Sequence, residues 1–140
     1  MVDGFAKTPR YVLLDGSQPT SPVVVGEDSE GHVTAIFGFS GKPTYDVFWK
    51  ARSRPLTPFP LVARFLQSRF DLDPAALHLV VLDAASGQQQ TLPAATFQAV
   101  LEAFQHNSDA VLVSHQLIAD GDGAGYRVQA VADATLRLSR

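Results

Sequence analysis

Along the chain, apolar positions fall into short runs and alternations punctuated by glycine, proline and aspartate, the pattern of strands joined by turns. Tyr11-Val-Leu-Leu14 closes on Asp15-Gly16 and predicts a buried strand. Pro22 to Val25 and His32 to Phe39 are β-branched or aromatic runs flanking the polar segment Gly26 to Gly31, which reads as a hairpin. Leu77 to Leu82 predicts a further strand, turning through Asp83 to Gly87 into a short partner around Gln89 to Leu92. In the last third, Ala110 to Ile118 is apolar-rich, Ala119 to Gly125 forms a turn, and regular alternation from Tyr126 to Leu138 predicts a long strand with one face on the core.

Two segments carry helical spacing instead. Pro60 suits the first turn of a helix whose stripe is Leu61, Val62, Phe65, Leu66 and Phe70. Arg69 projects into that stripe, so the helix must end before it, or its head group must snorkel or pair. Phe97, Val100, Leu101 and Phe104 follow the i, i+3, i+4, i+7 rule, with Pro93 ahead of them and His106-Asn107 behind. Segment 44–52 fits both periods, since Asp46 and Lys50 would pair on a helix whereas Tyr45, Val47, Trp49 and Ala51 alternate as on a strand. With Gly41-Lys-Pro43 as a turn, the alternation predicts a strand. The expected fold is α+β, a single domain over 1–140 with a mostly antiparallel sheet of about six to eight strands in hairpins or a meander and two amphipathic helices, about 60–70 and 94–106. Residues 1–9 are a candidate disordered start.

Composition narrows the class. A chain of 140 residues that is 46% hydrophobic and 18% charged is an ordinary folded domain with one core. The absence of cysteine excludes disulfides, thiolate metal sites and a cysteine nucleophile. No run has signal-peptide character or approaches the roughly 20 apolar residues of a membrane span, so a cytoplasmic protein without membrane contact is expected.

Charge is where a partner first shows. Residues 42–69 hold six of the eleven Lys and Arg (Lys42, Lys50, Arg52, Arg54, Arg64, Arg69) and one acid, Asp46, interleaved with Tyr45, Phe48, Trp49, Phe59 and Phe65. The segment is therefore about +5 and, in a chain of net charge −3, the remainder about −8. On a strand, Phe48 would share an open face with Lys50 and Arg52, where a ring and two cations meet a partner. Arg52-x-x-Pro55-x-x-Pro58 also fits a short polyproline II ligand pattern, one that chance supplies often.

Catalytic chemistry is not legible. Asp120-Gly-Asp-Gly-Ala-Gly125 lacks an oxygen ligand at Ala124 and the glutamate a calcium loop needs at Val131, and it is no nucleotide-binding glycine motif. His32, His78, His106 and His115 have no metal-ligand spacing, and Asp83 is explained as a turn residue. Ser86 and Ser114 have no GxSxG context. No cofactor, metal site or catalytic residue is expected. The leading expectation is a non-enzymatic binding or adaptor protein that contacts an acidic protein partner through Phe48, Lys50, Arg52, Arg54 and Arg64. Single-stranded nucleic acid on the same patch is the alternative, and a small enzyme or ligand-binding domain using His78, His115 or Asp83 comes third. A homodimer through an edge strand is compatible with the long C-terminal alternation.

Overall fold

In the computed structural model, residues 5–16, 18–22, 24, 33–50, 56–73, 76–84, 90–119 and 125–130 are described. The element order is β1 (Phe5–Lys7), β2 (Tyr11–Asp15), β3 (Gln18–Pro19), β4 (Val33–Gly38), α1 (Lys42–Lys50), β5 (Thr57–Pro60), α2 (Ala63–Leu72), β6 (Leu77–Leu82), β7 (Thr91–Thr96), α3 (Phe97–Gln105), β8 (Ala110–Leu112), β9 (His115–Ala119) and β10 (Tyr126–Ala130). This is an α+β fold whose strand pairs are mostly antiparallel. The central sheet has the order β10-β9-β7-β6-β4, β3-β2-β5 form a second sheet, and β1 pairs with β8.

One pair departs from the antiparallel expectation. β4 and β6 run parallel over six residue pairs, from Val33↔Leu77 to Gly38↔Leu82. Apart from the facing pair Thr34 and His78, both strands are apolar on both faces, as a sheet covered on two sides requires. Phe37, Leu79, Val81 and Ala94 belong to one buried cluster, and Ile36, Val80, Leu82 and Ala95 to the other. Gly38 lies where a side chain would not fit, because a Cβ there would come within 2.5 Å of Val80 and 3.0 Å of Pro9.

The helices divide between the two faces. α3 fits its sequence signature, with Thr96 as N-cap accepting the Ala99 amide at 3.1 Å and Val100 buried. α2 begins at Ala63, so Pro60 ends β5 and is not in a helical turn. It also runs past Arg69, whose guanidinium snorkels over the Phe65 ring at 5.5 Å. Both helices pack on the face of Ile36 and Val80.

The third helix corrects the strand expected at 44–52. Lys42–Lys50 is helical, with Pro43 in the first turn, where no backbone donor is needed. Asp46 pairs with Lys42 at 2.6 Å and not with Lys50. Tyr45, Phe48 and Trp49 then form an i, i+3, i+4 stripe against the face of Phe37, and Val47 is left in solvent. Phe48 is 0% exposed, its ring 4.8 Å from that of Phe37 and 5.2 Å from that of Phe39. The alternation Tyr45, Val47, Trp49 was a coincidence of composition, overridden by the burial that three consecutive aromatic contacts provide.

The sheet is curled. The Thr20 carbonyl accepts from the Phe37 amide at 3.0 Å on the free edge of β4, and Val24 forms a parallel bridge to Tyr126 on β10. In a flat sheet those two strands would be about 19 Å apart, yet four extended residues span about 14 Å. The two edges must approach one another, in the manner of a barrel joined by a single short segment. Other elements differ in detail from expectation: the strand expected over Ala110 to Ile118 is divided between β8 and β9, and β1 lies within 1–9. The segment 26–31, the turn 120–124 and the alternation beyond 130 lie outside the described residues, but the flanks of the hairpin expected across 26–31 pair elsewhere, Val24 with Tyr126 and β4 with β6.

Two outcomes follow. Phe48→Ala should cost about 3–5 kcal/mol in denaturant unfolding, while Lys50→Ala stays within about 0.5 kcal/mol. The antiparallel register also fixes which edge β5 presents: Leu61 donates to the Arg10 carbonyl at 2.8 Å, so by alternation Phe59 and Thr57 face β2 while Pro58 and Pro60 face outward. Replacing both prolines by valine should therefore raise self-association in sedimentation velocity, because it supplies the outward N–H groups that the native edge lacks.

Candidate partner-binding surface

The expected site residues separate in space. Phe48 is inside the core and cannot touch a partner, which corrects its place in the patch. Lys50 is exposed at the last residue of α1, and Arg64 is exposed in the first turn of α2. Arg52 and Arg54, with most of the Arg52-x-x-Pro55-x-x-Pro58 pattern, lie outside the described residues. Among the described residues the ion pairs are Arg10–Asp109 at 3.5 Å and Lys42–Asp46, and neither includes Lys50 or Arg64.

The apolar part of the surface is one that sequence reasoning missed. Phe59 and Val62 are each 47% exposed, although Leu61 between them is buried at 4%. β5 is an edge strand, and Phe59 pairs with Val12 across it, so the ring lies at the rim of the covered sheet. The available signal was the spacing Thr-Pro-Phe-Pro: prolines at alternate positions mark an edge strand, and a side chain between them need not be covered. Val62 is the N-cap of α2, where no side chain caps the helix and the first turn carries no acid. The first amides of α2 and the Arg64 guanidinium therefore create positive potential beside these two apolar groups.

The titratable candidates do not converge. His78 points to the α2/α3 side, its Nε2 2.7 Å from the Asp73 carbonyl and its Nδ1 2.9 Å from Thr34 Oγ1. Since a carbonyl only accepts, Nε2 carries the proton and donates, and Nδ1 accepts from the threonine. The ring stacks on Phe97 at 5.2 Å and meets Phe70 edge-on at 5.8 Å, which makes it a structural tie between α2 and the sheet. Asp83 is at the opposite end of the same strand, about 16 Å away along it. Its backbone is left-handed, with φ of 49°, and its carboxylate accepts from the Ser40 amide at 2.7 Å and the Ser40 hydroxyl at 2.8 Å. That pair of bonds locks the end of β6 to the start of the crossover. His115 sits on the other face, opposite Ala94, two strand spacings or about 10 Å from β6. It shares a hydrogen bond with its neighbour Ser114 at 2.9 Å. No group of three or more His, Cys, Asp or Glu among the described residues could hold a metal ion.

No helix among the described residues is long and apolar enough to cross a membrane. The chain matches no family model, and comparison with curated proteins and with solved structures returns no significant match.

Burial lowers the His115 pKa below its ordinary 6.5. The unfolded chain then binds more protons than the folded one as pH falls through 6.5, so this residue subtracts stability on the acid side and none at higher pH. His115→Gln should flatten the loss of thermal stability between neutral pH and about pH 5, measured by calorimetry.

Proposed function

We propose that the chain is a non-enzymatic binding or adaptor protein that holds an acidic protein segment against β5 and the start of α2. The observation that carries this reading is the exposure of Phe59 and Val62 beside Arg64, within the one segment where cations outnumber acids six to one. Aromatic residues and arginine are the types enriched at protein contacts. Arg64 follows Val62 in the first turn of α2, whereas Lys50 ends α1 on the other face of the sheet. An acidic side chain placed at the uncapped end of α2 would meet both its amides and Arg64. The lack of cysteine suits a reducing compartment such as the cytoplasm.

The nucleic-acid alternative is weaker on this geometry. It relied on Phe48 as a stacking ring, and of the aromatics in 42–69 only Phe59 is exposed. A catalytic reading would need His78, His115 and Asp83 to act together, and they stand on different faces or at opposite strand ends.

Affinity capture from a native lysate with nuclease present should return proteins that poly-L-glutamate displaces. The double variant Phe59→Ala, Arg64→Glu should lose them with its Tm unchanged, since both residues are exposed. Displacement by an oligonucleotide but not by polyglutamate would favour nucleic acid, and full retention by the variant would overturn the reading.

A further inference from the structure

We infer that the acidic partner segment docks beside β5 as an amphipathic α-helix and not as an added strand; this rests on the binding role above and specifies the partner's conformation. Among the described residues no strand pairs on the far side of β5, and its outward-facing residues are Pro58 and Pro60, so that edge offers two carbonyl groups and no N–H donor. An extended partner could donate to those carbonyls. Its own carbonyls opposite Pro58 and Pro60 would find nothing to accept from, and each would be desolvated without a bond.

A helical partner avoids that cost, because its backbone bonds are internal and only side chains approach the edge. What the surface offers matches such an approach. Phe59 on the edge strand and Val62 at the N-cap of α2 are two apolar groups, each about half exposed, of a size that inserts between side chains one helical turn apart. Arg64 and the start of α2, which no side chain caps and no acid occupies, follow Val62 in the chain and take the acidic flank of the helix. Polyproline II docking, the remaining common mode, uses a groove lined by several aromatic rings. Here Phe59 is the exposed ring of the segment.

The test is a display selection of random segments built from Asp, Glu, Leu, Ile, Phe, Ala, Gly and Pro against the intact protein, counter-selected with Phe59→Ala, Arg64→Glu. Enriched sequences should carry apolar residues at i, i+3, i+4, i+7 with acids between them. A synthetic winner should gain helical circular dichroism on binding, and proline at its centre should weaken it by at least about tenfold. Winners with alternating apolar positions, or with PxxP spacing, would overturn the helical mode and leave the acidic-partner reading standing. Enrichment of non-acidic sequences, or of none over the counter-selection, would overturn that reading as well.

Discussion

Because β4 and β6 run parallel, the chain cannot turn directly from one to the other, and everything between Phe39 and Ala76 is the crossover that this pairing demands. The crossover does more than connect. It lays α1 on one face of the sheet, passes along the β2 edge as β5, and lays α2 on the other face. Both faces of a doubly buried parallel pair are thereby covered by one continuous stretch of chain, joined by the α3 helix on the second face. The basic segment 42–69 is this same stretch, which is why its cations are scattered round an edge and not gathered on one plane.

The junctions of that crossover are held by specific polar bonds. At its start Asp83 accepts twice from Ser40, and its left-handed backbone is tolerable because aspartate is among the few side chains that accept that conformation. At its end His78 ties the carbonyl of Asp73 to Thr34. Each lock joins the crossover to the parallel pair it serves. Both residues drew notice in the sequence as candidate chemistry, and both are accounted for by the requirement that buried polar groups be satisfied.

How much was legible depended on whether a pattern was local. α3 was readable because its stripe and its end lie within one short stretch, although its start was not, since Pro93 to Thr96 belong to β7 and Thr96 is the cap, and Leu77–Leu82 was readable because an apolar run bounded by turn residues has few alternatives. α1 was misread because nine residues give too few repeats to separate two periods, and what decided the matter was the distant Phe37 and Phe39 rings that Phe48 meets. The parallel pairing was invisible for the same reason. The exposed surface was least legible: picking Phe59 over Phe48 as the exposed ring required knowing which ring the sheet would cover, and that is set by the crossover's path and not by the residues beside either ring.

The Val24–Tyr126 bridge bears on how the molecule is made. A chain emerging from the ribosome from its N-terminus can pair β4 with β6 once Leu82 is out, and can add β7 and β9 in turn. The bridge joins residues roughly a hundred apart in sequence, so it forms only after Tyr126 has followed the strands it closes. Until then the sheet stays open along the edge that the 20–24 segment will share with β10. Such an unpaired strand edge on a nascent chain invites wrong partners, so exposure to aggregation along this edge lasts until residue 126 has been made.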